Sequence, residues 1–376
     1  MRTPLAWKNV THNKLRAAAS LAGVGFAILL IFMQLGFYDA CFRSSTMVFD
    51  QFDFEVALVS PQYVHLRAAG AVPHRRLYQA RSIPGVAHVA PFFIGNASWR
   101  TPQTGFRREI LVVAVDPREA CFRLPELTAL APLLQQEDTV LVDQKAQKSY
   151  GTVQTGDVIE LENRNVNVVG TYDYGCGFIS DASVMVSDRT LTRLVPGYNL
   201  GDVSIGLVKL EAGADREAAV RALVEKMPAD VRVLRREELE EREQAYFVRT
   251  KPLGIMFSSG VVLAFAVGAV ILYQVLASEV MSRLKEYATL KAVGYSNLFM
   301  NKVILQQATI YALLGFIPAA ILSVALYALT RYSTNLPMVM TFQRIVFVLV
   351  LSIGMCGIAG WLASRKVARA DPADLF

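Results

Sequence analysis

"SEVMSRLKEYATLKAVGYSN", Ser278 to Asn297, is a charged interruption between two long apolar runs, and the fold follows from how it is read. Pro252–Ser278 before it and Val303–Thr330 after it contain no Asp, Glu, Lys or Arg. Two further runs, Ala17–Tyr38 and Ile345–Ser364, share that property. About 20 apolar residues suffice to cross roughly 30 Å of hydrocarbon as a helix, so each run qualifies as a span. The sequence therefore predicts a membrane protein with four transmembrane α-helices. Its composition agrees, with 53% hydrophobic and only 19% charged residues in 376.

Lys and Arg near span ends resist translocation and so orient the chain. They cluster in the first 16 residues (Arg2, Lys8, Lys14, Arg16), in the 279–302 connection (Arg283, Lys285, Lys291, Lys302) and in the 365–376 tail (Arg365, Lys366, Arg369). These three segments are expected in the cytoplasm, with the N-terminal one forming a helix along the membrane surface behind Thr3 and Pro4. The short 331–344 loop and the long 39–251 insertion are then expected outside. A cleaved signal peptide is the competing reading of the first span, but its apolar run exceeds the usual signal core and no A-x-A site follows closely. The net charge of +6 reflects span-flanking cations that face anionic lipid, and gives little reason to expect nucleic acid.

The insertion reads as mixed α/β. Strand character recurs at 54–59, 109–115, 139–143, 157–162, 166–172, 183–187, 203–210 and 231–234, with helices at 74–81 and 215–226. The centre, about 139–194, is mostly strand, which predicts a β subdomain inserted into an α/β one. "DACFRSSTMVFDQFDF" spaces Phe42, Thr46, Phe49 and Phe52 for one helical face, and "EELEEREQAYFVRTKP" is strongly helical. Both segments are expected to continue as helices out of the membrane and form a stalk.

In spans two and four, Gly260, Ala264 and Gly268, then Cys356, Gly360 and Ser364, place small residues at four-residue spacing, which lets helices approach closely. The stripes fit a dimer interface and packing within one chain equally well. Gln34, Gln306 and Gln307 are polar groups in or near spans that call for helix-to-helix hydrogen bonds. Cys121 and Cys176 fall where an oxidising compartment permits a disulfide, although two free thiols fit as well. Four scattered histidines offer no metal site.

Catalytic motifs are absent: there is no G-x-S-x-G, H-E-x-x-H or C-x-x-C, and no G-x-x-x-x-G-K-[ST] phosphate loop. Any energy for work must come from another protein. No predicted span holds an ionisable Asp, Glu, Lys, Arg or His, which argues against an ion-coupled transporter.

The interruption itself reads as a helix from Ser278 to Val293, stopped by a left-handed turn at Gly294. Glu279 with Arg283 (i,i+4) and Arg283 with Glu286 (i,i+3) support it by a few tenths of a kcal/mol per pair. Met281, Leu284, Ala288 and Ala292 line one face, while Leu290 and Val293 share another with Glu286. A helix with apolar residues on two faces calls for a partner besides the membrane.

"EVMSRLKEYATLKAVGYSN" resembles the first cytoplasmic loop of the MacB/FtsX/LolC class of ABC transporter permeases, in which "E…R…E.A.LKA.G" recurs. The order of elements and the tail "SRKVARADPADLF" are similar too, and the whole looks most like the DevC-type permeases, which lack a fused ATPase domain. The resemblance implies four transmembrane helices with a large α/β extracytoplasmic domain between the first two, a MacB-like periplasmic domain on a helical stalk. It also implies a homodimer in the bacterial inner membrane. This chain would bind no cofactor; ATP and Mg would be used by a separate ABC ATPase subunit docked on Arg283, Glu286, Tyr287, Leu290, Lys291 and Gly294. A periplasmic adaptor and an outer-membrane channel are the further partners it implies. The function implied is export of a lipid-like or amphiphilic substrate such as a glycolipid; the alternative is an FtsX-like subunit that transports nothing and switches a cell-wall hydrolase.

Overall fold

The computed structural model describes residues 14–195, 197–283, 286, 289 and 293–369. The N-terminal surface helix expected over 1–16 and the 370–376 end of the tail lie almost wholly outside that set. Two compact units result: a helical one drawn from Met1–Asp39, Gly254–Thr330 and Met338–Phe376, and an inserted one from Ala40–Leu253 with Arg331–Pro337.

In chain order the helices are α1 (Lys14–Ser44), α2 (Arg75–Arg81), α3 (Pro125–Leu130), α4 (Asp188–Leu194), α5 (Arg216–Lys226), α6 (Arg236–Ala245), α7 (Leu253–Ser282), α8 (Asn297–Thr334) and α9 (Phe342–Arg369). Among the described residues α1, α7, α8 and α9 are long and apolar enough to cross a membrane.

The strands are β1 (Val56–Val59), β2 (Val72–Pro73), β3 (Val86–Arg100), β4 (Arg107–Val115), β5 (Thr139–Asp143), β6 (Val158–Leu161), β7 (Arg164–Tyr172), β8 (Ser183–Ser187), β9 (Asp202–Val203), β10 (Ile205–Leu210) and β11 (Arg232–Arg235). Nine of them form one sheet in the order β11-β1-β10-β3-β4-β8-β5-β7-β6, while β2 and β9 pair separately. The far edge returns on itself: Trp99 and Arg100 of β3 also pair with Leu161 and Glu160 of β6. The six strands from β3 to β6 thereby close into a small barrel. The β subdomain expected at the centre is therefore not a separate sheet; it shares β3 and β4 with the α/β part.

The sequence reading did not include β3 among its strands, although β3 is the longest and joins both halves. Pro91, Gly95 and Asn96 lower its apparent strand character. Pro91 faces Gly206 of β10 at a point where β4 has already ended, so its missing N–H costs no bond on that side. β6 and β7 meet through Glu162 and Asn163, at φ 48° and 62°, the two left-handed positions of a type I′ hairpin. Trp99 is fully buried and donates its indole N–H to the Tyr150 carbonyl at 3.1 Å. Leu58, Phe93, Val112 and Val184 are also fully buried, and each such side chain contributes about 2 kcal/mol.

Both expected stalk helices are shorter than the sequence suggested. α1 stops at Ser44, where the hydroxyls of Ser44, Ser45 and Thr46 bond the carbonyls of Cys41, Phe42 and Arg43. These side chains satisfy the last carbonyls and release the chain into a turn. Between α6 and α7, Tyr246–Thr250 forms a π-helical turn and Lys251 is extended (φ −83°, ψ 145°). Pro252 excludes the helical region for the residue before it, so α6 and α7 are separate helices.

Candidate functional site

The α7–α8 connection is anchored from within the helical unit. α7 runs past the apolar segment, and its last turn carries Glu279 against α8. There the Glu279 carboxylate accepts from the Gln307 amide, and from the Tyr311 hydroxyl at 2.7 Å. Gln307 and Tyr311 are both buried. A carboxylate held by two donors in a region of low dielectric fixes the end of α7 to α8 with more force than the same bonds would have in water. Glu279 lies in the connection by sequence; its position directly after the apolar run, ahead of a span that carries Gln307 and Tyr311, is the available signal.

Beyond that clamp, Arg283 pairs with Glu286 at 3.7 Å, the i,i+3 contact expected from spacing. Gly294 has φ +102°, and a Cβ placed there would meet nothing, so its requirement is conformational and not steric. Tyr287, Leu290 and Lys291 lie outside the described residues. Ser296 opens α8 by accepting from the Phe299 amide, and the Tyr295 and Phe299 rings stand 4.8 Å apart. Around this turn Met281, Val293, Tyr295, Leu298 and Phe299 are all exposed, an apolar surface on a charged segment.

The small-residue stripes face inward. A Cβ at Gly260 would strike Gln34 of α1, and one at Gly268 would strike Ala27 of α1 and Met355 of α9. Ala264 is buried in the same core. On α9, Cys356 and Ser364 are buried and Gly360 meets Ala308 of α8. Of the two uses the stripes fit, packing within the chain is the one these contacts display. Gln307 makes the helix-to-helix bond expected of it, whereas Gln306 faces outward.

At the other end of the helical unit, Arg344 is buried in the first turn of α9. It pairs with Asp39 of α1 at 2.8 Å, donates to the Val339 carbonyl at 2.7 Å and lies near Tyr327 of α8, whose hydroxyl bonds the Phe32 carbonyl. By sequence, Arg344 is the last residue of the short 331–344 loop. An acid just after one span and a base just before another was the clue.

The inserted unit holds a second buried carboxylate. Glu243 of α6 is fully buried and accepts from the Tyr63 hydroxyl. Burial pushes its pKa up from 4.5 to about 7, with Tyr63 and the Leu66 backbone pulling the other way. Next to it on the chain, Tyr246 stacks on His65 with ring centroids 4.0 Å apart. The 331–337 loop belongs to this unit: Asn335 donates to the Ala146 carbonyl at 3.3 Å, and the Lys148 ammonium sits 4.2 Å over the Tyr332 ring.

Cys121 and Cys176 are not bridged. The Cys176 thiol lies between the carbonyls of Lys145 and Asp181, while Cys121 lies beside Glu119, Asp53 and Lys209. The disulfide that the sequence left open is therefore absent, because the two thiols occupy different neighbourhoods. Burial raises both, Cys121 to about 11 and Cys176 to about 12. Among the described residues no group of three His, Cys, Asp or Glu could hold a metal.

Two family models match the sequence: the MacB-like periplasmic core domain over residues 17–226 and the FtsX-like permease C-terminal region over 258–372. No curated protein matches it significantly. Among solved structures, the extracellular domain of the noncanonical ABC-type transporter YknZ from Gram-positive bacteria is 13% identical, covering 48% of this chain and 100% of that one, with a TM-score of 0.34. The periplasmic region of MacB from Actinobacillus actinomycetemcomitans is 10% identical, covering 52% and 94%, with a TM-score of 0.38. The family assignment rests on the two models, which together span nearly the whole chain.

Proposed function

The chain belongs to the MacB/FtsX class of permeases, and from that premise we propose that it is the membrane subunit of an ABC transporter that passes the motion of a separate ATPase to its inserted domain. The observation that carries this reading is the α7–α8 turn. It presents exposed Met281, Val293, Tyr295 and Leu298 beside the Arg283–Glu286 pair, and it is tied into the helical core by Glu279. An apolar surface bordered by charges is what a docked partner covers. A displacement imposed there reaches α7 and α8 directly.

In this reading the turn faces the cytoplasm and docks the ATPase through Arg283, Glu286, Tyr287, Leu290, Lys291 and Gly294, with two copies of the chain per complex. The ATPase supplies the ATP and Mg chemistry. The inserted domain lies in the periplasm, where it contacts an adaptor leading to an outer-membrane channel, and the cargo is lipid-like or amphiphilic.

Glu286→Ala and Leu290→Ala, each reconstituted with the co-purified ATPase, test the assignment. Loss of transport-coupled ATPase activity with normal membrane insertion is the expected result; unchanged coupling overturns the docking role. Purification of the tagged chain in mild detergent tests the wider reading. An ATPase with an adaptor and channel supports export, whereas an ATPase with a wall hydrolase replaces it with signalling.

A further inference from the structure

Between α8 and α9 lies an open groove of about 650 Å³, within the range of small-ligand sites. Its floor is apolar, with Leu305, Ile310 and Trp361 along it. Lys302 stands at one end, and the Arg365 guanidinium lies 3.8 Å over the Trp361 ring. The antiparallel packing of α8 and α9 is fixed by Gly360, which meets Ala308, Leu305 and the Ile304 carbonyl. Five residues further along α9, Arg365 is thereby brought to the level of the start of α8, the end of the groove at which Lys302 lies. Among the described residues neither cation has an acidic partner.

Gln306 is the second observation. It lines the groove, is exposed, and has no hydrogen-bond partner among the described residues. A primary amide facing hydrocarbon without a partner is costly. It lies one helical turn from Lys302, about 6 Å further into the membrane. Cations come first, the amide beside Leu305 and Trp361 one turn further in, and Ile310 a turn beyond, which matches the order of phosphate, glycerol ester and acyl chain in a phospholipid.

We propose that this groove binds one anionic phospholipid, with its phosphate between Lys302 and Arg365, its ester carbonyl accepting from the Gln306 amide and an acyl chain against Leu305, Ile310 and Trp361. The site is separate from the Glu279 clamp and does not depend on what the protein exports. Lysine and arginine near an anionic headgroup layer contribute about 1 kcal/mol each, or roughly fivefold in affinity.

The test uses the full chain carrying Trp7→Phe in vesicles of phosphatidylcholine and phosphatidylglycerol. Trp361 then reports on the groove, and Trp99, buried in the inserted unit, supplies a constant background. Brominated phosphatidylglycerol is expected to quench Trp361 several-fold more than its mole fraction predicts, and brominated phosphatidylcholine is not. Lys302→Gln lowers that preference about fivefold while Lys302→Arg retains it. Quenching by brominated phosphatidylcholine in the same samples confirms that each variant is inserted. Equal quenching by the two brominated lipids, or an unchanged preference in Lys302→Gln, overturns the proposal. So does a Trp361 that neither lipid quenches, which would mean that protein, such as a helix of a second copy, covers the groove.

Discussion

Replacing Glu243 by Gln removes one titration from the inserted unit and should make it more stable above neutral pH. The folded-state pKa of about 7 lies above the ordinary 4.5 because burial disfavours the charged form. The folded protein therefore binds more protons than the unfolded chain between these values, and stability falls as pH rises from 4.5 to 7, then stays level. The span of 2.5 pKa units at 1.36 kcal/mol each corresponds to about 3 kcal/mol. The side chain has no solvent exposure, so no screening reduces that figure much. Gln keeps an oxygen for the Tyr63 hydroxyl and carries no charge. In detergent, melting of the full chain followed by Trp99 fluorescence should rise by about 6–12 °C at pH 8 for Glu243→Gln, since about 3 kcal/mol corresponds to that shift in a domain of this size. At pH 5 the gap should narrow to below about 1 kcal/mol. Nearby His65, which burial holds below 6.5, titrates with the opposite slope, but it is common to both proteins and cancels in the difference. A variant with the same pH slope as the parent, or a lower melting point at pH 8, would refute the reasoning.

Gly268→Ala places a Cβ against Ala27 and Met355 and should cost about 1–3 kcal/mol in detergent melts, whereas Gly357→Ala, with nothing within 4 Å, should be close to neutral. Arg344→Ala removes the ion pair with Asp39 and the bond to the Val339 carbonyl and should cost about 1–3 kcal/mol, less than a fully buried pair because the Asp39 side chain is 24% exposed; unchanged melting would show the pair to be dispensable. In denaturant without reductant, thiol titration should count all four cysteines, and a count of two would mean a bridge.

Much of the fold was legible because two strong patterns carry it. Four charge-free runs read as spans, with a signal peptide competing only for the first, and short runs of strand character such as Thr139–Asp143 and Ser183–Ser187 announced strands with the bounds the structure gives them. β3 escaped because its proline and glycine are tolerated only where neighbouring strands leave room, a property of pairing and not of the strand. At the α7–α8 connection, the left-handed turn at Gly294 and the Arg283–Glu286 pair were legible because both act locally, while most of the helix expected up to Val293 lies outside the described residues. Its anchor was not, because Glu279 meets Gln307 and Tyr311 only after α7 and α8 have packed.

By itself, the sequence determined which segments are apolar enough to cross the membrane, where a folded domain is inserted, and that these residues contain no G-x-x-x-x-G-K-[ST] phosphate loop. Hydrophobicity and missing motifs are properties of single segments, so no partner is needed to read them. Only the tertiary structure decided that the small-residue stripes pack within the chain, that the strands of the centre close a barrel with β3, and that Arg344 and Glu279 are structural anchors. Each of those depends on which faces meet, and the same stripe of glycine and alanine serves an internal contact or an external one until Gln34, Ala27 and Met355 are found against it.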